Sequence, residues 1–315
     1  MGQLIDGTWH DTPRQPSRSG TFVRGETSFR DRITADGSSD FPVAAGRYHL
    51  YVALACPWAH RTLIFRKLKR LEAAISVSAV EPLMLEHGWT FGATPDPLTG
   101  ARHLHEVYTR AKPDYTGRVT VPVLWDKAQQ RIVNNESAEI IRMMNGPLAA
   151  LGDASIDYYP AGLAAQIDRV NARVYAAINN GVYRAGFATT QSAYEEAVRA
   201  LFAAFDELET RLAHQSWLVG ERQTEADWRL FTTLIRFDSV YFGHFKCNLR
   251  HVYEYPELWD LTRALYQTPG IAETVDFAQI KQHYYGSHRA INPTGIVPLG
   301  PSLNLAAAAR RGSTA

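Results

Sequence analysis

Cys56 stands where an extended apolar run gives way to helical spacing, and Pro57 and Trp58 follow it directly. A thiol at a helix start faces backbone N–H groups that have no partner within the helix, together with the positive end of the helix dipole. Both favour the thiolate, which is the reactive form of cysteine. Pro57 suits the first helical position, where its missing N–H costs nothing. The residue three positions on is Ala59, so the motif holds no resolving thiol. A mixed disulfide formed at Cys56 would therefore have to be opened by an outside thiol. The plain alternative is a buried structural cysteine without chemistry.

Two further features fit the same chemistry. Pro122 interrupts the apolar run Val119–Trp125, and a proline there removes a ladder donor and belongs at a strand edge. With the Val121–Pro122 bond in cis, Val121 would turn its N–H and C=O toward an extended peptide, which could add to the sheet. A routine edge proline is the alternative. Asn134-Asn135-Glu136-Ser137 opens a helix. Ser137, with exposed amides beside it, offers a carboxylate cradle, and Glu136 could hold an ammonium group. A γ-glutamyl head carries both charges; a plain N-cap is the simpler reading.

The elements that must position these residues follow from periodicity. Arg47–Leu54 reads as a strand, Ala59–Glu72 as a helix and the β-branched Ile75–Val80 as a second strand. Leu85–Arg118 is a long irregular stretch, Val119–Trp125 is strand-like, and Ile132–Val133 leads into a helix ending at Asn145-Gly146-Pro147. From about residue 160 only helical patterns remain. Leu201, Phe205, Leu208 and Leu212 form one stripe within a helix over Tyr194–His214. Thr224-Glu225-Ala226-Asp227 resembles a capping box before a helix over Trp228–Asp238, and Pro256–Gln267 reads as another helix. The layout βαβ–ββα followed by helices predicts an α/β thioredoxin-like domain over 47–150 and an all-α domain over 160–290. An extended arm (1–46) precedes them and a Pro/Gly-rich tail (291–315) follows, with Ala306–Ala315 expected to fray.

Composition sets the outer limits. The chain has 315 residues, 45% of them hydrophobic, and a net charge of +1, which gives no footprint for nucleic acid or an anionic membrane. Its length suits two domains with large cores. Two widely spaced cysteines in so long a chain suit a reducing compartment. No stretch reaches the ~18 consecutive apolar residues of a membrane span. The polar start lacks the apolar core of a secretory signal, so the cytoplasm is the expected location.

The order of cysteine motif, proline and Glu-Ser, followed by helices, resembles the glutathione-transferase plan. The wording is closer to the Xi class, the glutathionyl-hydroquinone reductases. It is carried by Cys56-Pro57-Trp58-Ala59, Trp89 in Gly-Trp-Thr-Phe, Thr120–Asp126 and Asn134–Ser137. In the helical half it is carried by Asn179–Tyr183, His244–Asn248, His283–His288 and Ile291–Gly295. The resemblance runs from about residue 20 to 300 and implies an enzyme that removes glutathione from glutathionyl-hydroquinones, using a second glutathione as co-substrate. It implies Cys56 as nucleophile, Trp89, Val121, Glu136 and Ser137 as glutathione contacts, and Tyr183, Tyr284 and His244 as hydroquinone contacts, with the two tyrosines catalytic. It also implies a homodimer joined through the helical domains. A phenol could steady the keto tautomer that lets a ring carbon leave sulfur; Tyr241 and Tyr285 could stand in for any of the three hydroquinone contacts.

Other residues remain to be placed. His87, His103 and His105 share the long irregular stretch without an evident acidic or cysteine partner, so a solvated loop and no metal are expected. Arg102, Arg110 and Arg118 are candidates for the glycyl carboxylate of glutathione. Cys247 is expected to pack rather than react. No Gly-rich phosphate motif occurs. Two other functions compete with the leading one: a broader thiol transferase or dehydroascorbate reductase of the omega type, and a non-catalytic binding module on the same fold.

Overall fold

The computed structural model describes residues 2–12 and 17–311, which form two compact units. The first gathers the described residues among 1–15, 25–156 and 278–287; the second gathers those among 16–24, 157–277 and 288–315.

In the first unit a hairpin, β1 (Gln3–Ile5) and β2 (Thr8–His10), and a short parallel pair, β3 (Ile33–Thr34) and β4 (Phe41–Pro42), occupy the expected extended arm. The main sheet has β5 (Tyr48–Val52), β6 (Ile75–Ala79), β7 (Val123–Asp126) and β8 (Arg131–Asn134), in the spatial order β6-β5-β7-β8. β5 pairs parallel with β6 and antiparallel with β7, and β7 pairs antiparallel with β8. A parallel neighbour requires a crossover, supplied by α1 (Pro57–Leu68). Every residue of β5 is buried, as expected for an inner strand covered on both faces. α3 (Ser137–Asn145) packs on α1, with Ile140, Ile141 and Met144 fully buried.

Two sequence expectations need correction here. The stretch 85–118 is not wholly irregular, because α2 (Leu104–Ala111) buries Leu104, Val107 and Tyr108 at helical spacing. Flanking histidines and Pro113 leave this helix only two turns long, too short to stand out in the pattern. The strand expected over Val119–Trp125 begins only at Val123, since Pro122 has no N–H for the ladder.

The second unit is helical: α4 (Ala164–Val174), α5 (Gly181–Gly186), α6 (Gln191–Leu212), α7 (Glu225–Arg236) and α8 (Pro256–Tyr266). α9 (Phe277–Ser287) lies almost wholly in the first unit. The predicted stripe Leu201, Phe205, Leu208 and Leu212 is buried on α6. The end of the chain is not frayed as far as Arg311. That guanidinium donates to Glu257 Oε2 at 2.5 Å, Asp260 Oδ2 at 3.2 Å and Leu212 O at 2.6 Å. Fraying was expected from Ala306 on, but two consecutive arginines meeting the half-buried Glu257 and the buried Asp260 decide the outcome. The remainder of the expected frayed end, 312–315, lies outside the described residues.

The capping box of α7 is present. The Thr224 N–H donates to the Asp227 carboxylate at 2.8 Å and the Thr224 hydroxyl donates at 3.0 Å, while Leu218 N–H donates to it at 2.8 Å. Burial pushes this carboxyl up to about 6, against the pull of those bonds. A carboxyl raised in the folded chain holds its proton more tightly folded than unfolded. Its contribution to stability is present below pH ~4 and lost as pH rises to about 6. Asp227→Asn presents an amide N–H₂ to one of these donors and should cost about 1–3 kcal/mol. Denaturant melts should show a larger deficit at pH 4 than at pH 7.

Candidate active site

Cys56 is the N-cap residue of α1, in extended conformation, and Pro57 follows at the first helical position. No side chain caps this helix start; the sulfur stands where Ser, Thr or Asp would ordinarily accept the first-turn amides. The residue is 9% exposed, and its thiol donates to the Val121 carbonyl at 3.7 Å. Cys247, the second cysteine, is completely buried in the helical unit, and burial pushes its thiol pKa up. It packs, as expected from the sequence.

Val121–Pro122 is a cis peptide bond, and Val121 lies outside the strand that follows. Among the described residues the Val121 N–H meets no acceptor. β7 is an inner strand between β5 and β8, so Pro122 does not lie on the edge strand expected from the sequence; it lies just before the ladder, where the Val121 backbone can pair with an extended ligand.

Glu136, not Ser137, caps α3: its carboxylate accepts the Ala138 N–H at 3.1 Å. Ser137 occupies the first helical position and is nearly buried. Arg61 of α1, itself 1% exposed and stacked 4.6 Å above Trp58, donates to the Ser137 hydroxyl at 3.3 Å. A guanidinium and a helix N-terminus thus meet at Ser137, an arrangement that favours an anion.

Tyr108, which the sequence pattern did not single out, ties these pieces together. Its hydroxyl donates to Thr120 O at 2.8 Å and accepts from Thr120 N–H at 3.2 Å and Asn135 Nδ2 at 3.1 Å. The residues held are the immediate neighbours of Val121 and Glu136. The only signal for Tyr108 was its place on the apolar face of a two-turn helix. Full burial pushes the phenol up to about 12, so it stays protonated. Of the three candidate arginines, Arg110 donates to Thr99 O and Arg118 to Gly2 O, while Arg102 is exposed.

Trp89 is buried in the first unit, with one face stacked on His283 at 4.9 Å. His283 is fixed in turn by the Pro82 carbonyl at 2.8 Å, and Tyr284 follows it, buried on α9. In the helical unit a π-helical turn, Tyr175–Asn179, leads into α5 and Tyr183, and another, Phe237–Tyr241, continues α7 toward His244. Such turns shift a helix's register and are frequent at functional sites. Tyr183 packs with Phe22, Phe187, Tyr241 and Phe245, and the Arg24 guanidinium lies 4.7 Å from its ring centre. His244 Nε2 lies 3.1 Å from His288 Nδ1. Gly186 is required by this packing: a Cβ there would lie 2.2 Å from the Phe245 ring.

A thioredoxin-like sheet with a cysteine at its first helix start, a cis-proline and an anion-binding helix end, accompanied by a helical unit, defines a glutathione transferase. Comparison with known proteins agrees. A family model described as the glutathione S-transferase N-terminal domain matches residues 55–146, and one described as the C-terminal domain matches residues 191–264. Glutathionyl-hydroquinone reductase YqjG of Escherichia coli is 54% identical over 313 residues, 96% of this chain and 95% of its own. Glutathionyl-hydroquinone reductase PcpF of Sphingobium chlorophenolicum is 54% identical over 307 residues, 96% and 97% of the two chains. The solved structure of glutathione-bound YqjG matches with a TM-score of 0.90 at 51% identity, covering 98% of this chain and 99% of that one. An Xi-class transferase from Natrialba magadii matches at 0.93 and 48%, covering 99% and 96%. This chain belongs to the Xi-class glutathione transferases, the family of the glutathionyl-hydroquinone reductases.

Two outcomes test the geometry. Iodoacetamide at neutral pH should label Cys56 at least about tenfold faster than Cys247, read by peptide mass spectrometry. Tyr108→Phe removes the tie between Thr120 and Asn135, and the KM for glutathione should rise by about tenfold while Cys56 labelling changes little.

Proposed function

We propose that this protein is a glutathionyl-hydroquinone reductase working through a Cys56–glutathione mixed disulfide. The observation that carries the reading is the sulfur set at the uncapped amide end of α1, facing a Val121 backbone whose N–H meets no acceptor among the described residues. In the first step the Cys56 thiolate attacks the thioether sulfur of the substrate. The carbon–sulfur bond breaks, its electron pair passes to the ring carbon, and a proton delivered there gives the hydroquinone. In the second step a glutathione thiolate attacks the glutathione sulfur of the mixed disulfide, releasing glutathione disulfide and restoring the Cys56 thiolate. The net change consumes one adduct and one glutathione, and atoms and electrons balance.

The glutathione moiety is assigned to Trp89, to the Val121 backbone and, at its γ-glutamyl end, to Glu136 and Ser137. Tyr183, Tyr284 and His244 are assigned to the hydroquinone, with a tyrosine hydroxyl steadying the keto tautomer. The protein is further proposed to act in the cytoplasm as a homodimer through its helical unit; no described helix is long and apolar enough to cross a membrane.

Cys56→Ser should lower turnover of a glutathionyl-hydroquinone on the order of a thousandfold while glutathione still binds. Full activity in that variant sinks the nucleophile assignment. Tyr183→Phe should lower kcat by about a hundredfold with KM nearly unchanged. A second reading has some support, because a Schizosaccharomyces pombe relative 48% identical over 302 residues is named glutathione S-transferase omega-like 2. Equal rates on a glutathionyl-hydroquinone and on a simple mixed disulfide would favour a general thiol transferase instead.

A further inference from the structure

His103, the N-cap residue of α2, and His105 in its first turn are half-buried rather than part of the solvated loop expected from the sequence, while His87 is exposed. Glu106, three residues into α2, brings the acidic partner that was not evident there: its Oε1 lies 2.6 Å from His103 Nδ1. One donor atom from each of His103, His105 and Glu106 lies within 4.8 Å of the others, and all three residues are half-buried. The His103 and His105 rings lie nearly parallel with centres 5.0 Å apart, and the exposed His87 ring lies 5.0 Å from that of His103. Backbone pairing fixes the segments concerned, through Thr90 with His103 and Leu85 with Gly88. His105 is further held by stacking on Trp9 at 4.8 Å, while the Trp9 indole N–H donates to Glu86 O.

We propose that His103, His105 and Glu106 bind a divalent transition-metal ion of the zinc type, with His87 as a fourth donor. Two imidazoles and a carboxylate form a donor set that zinc accepts, and three protein ligands leave one coordination position open. Imidazole and carboxylate together suit zinc, copper or nickel rather than calcium or magnesium. Zinc bonds of about 2.0–2.2 Å require the donors to close in, and because the two imidazoles are stacked nearly parallel, one ring must also turn until its in-plane lone pair points at the ion. Half-buried side chains in the first turn of a helix can make that movement. Two things oppose the ion: the positive end of α2, and the hydrogen bond from Arg102 N–H to Glu106 Oε2 at 3.3 Å. Both are weaker than a coordinate bond, and they place the expected affinity in the micromolar range rather than the nanomolar.

The test uses the tag-free full chain carrying Cys56→Ser, so that the reactive thiol does not compete for metal. Isothermal titration with Zn²⁺ should show one equivalent bound at micromolar affinity. Glu106→Gln keeps side-chain shape and His103→Asn places a favourable cap residue at the start of α2, so both variants should fold without loss of melting temperature in zinc-free buffer. Each should weaken zinc binding at least tenfold. The pair should abolish both the binding and the rise in melting temperature that zinc gives the parent. Failure of the parent to bind an equivalent overturns the proposal, and so does unchanged affinity in the folded double variant. Neither outcome bears on the hydroquinone chemistry, which Cys56 alone tests.

Discussion

A helix that begins with sulfur in place of a capping oxygen is the constraint on which the site is built. An ordinary cap would accept the first-turn amides of α1 with its side chain; Cys56 at that position makes no side-chain cap bond. The loss relative to a Ser or Asp cap is about 1 kcal/mol of local stability. It is offset by packing along the helix: Ala59, Ile64 and Phe65 are essentially fully buried. Departures of this sort from local preference are expected where function rather than folding selects the residue. Position matters equally. The parallel pair β5–β6 forces the chain to cross by way of α1, so the helix start falls at the end of an inner strand whose place is fixed from both sides.

The loop opposite Cys56 is held from a different direction. Pro122 cannot donate to the ladder, so the chain before Val123 leaves the sheet and must be anchored by other means. Tyr108 supplies the anchor through a buried hydroxyl that serves both Thr120 and Asn135. Two segments, one before β7 and one before α3, thereby share one fixed point. Arg61 makes a comparable link between α1 and Ser137. A buried polar group whose bonds are satisfied as those of the Tyr108 hydroxyl are rigidifies a site, whereas the same group left half-used would weaken it.

How much of this was legible in the sequence depends on whether the signal was local. The β5–α1–β6 unit was legible because periodicity changes from strand to helix on either side of Cys56-Pro57. The capping box at Thr224–Asp227 and the stripe on α6 were legible for the same reason: spacing alone carries them. α2 was not, because two turns give too few repeats and histidines occupy its start. Tyr108, Arg61 and the His103–Glu106 pair were illegible as a group, since each acquires its role through distant partners or side-chain direction. Glu136 was marked from the sequence as a candidate binding group, and the structure makes it the cap of α3. Arg311 makes the point at the other end of the chain: fraying was expected there, while its tertiary carboxylate partners Glu257 and Asp260 hold it.

The cysteine inventory completes the physical case for an external thiol. After Cys56 captures a sulfur substituent, some thiolate must reach the resulting disulfide. Ala59 stands where a motif partner would be, so nothing one helical turn away can do so. Cys247 is fully buried and carries a thiol whose ionisation burial opposes, which removes both access and nucleophilicity. No thiolate of the chain itself is therefore in a state to resolve the bond. The resolving thiolate must therefore come from outside the chain and be small enough to reach a disulfide at Cys56, a condition that a second glutathione meets.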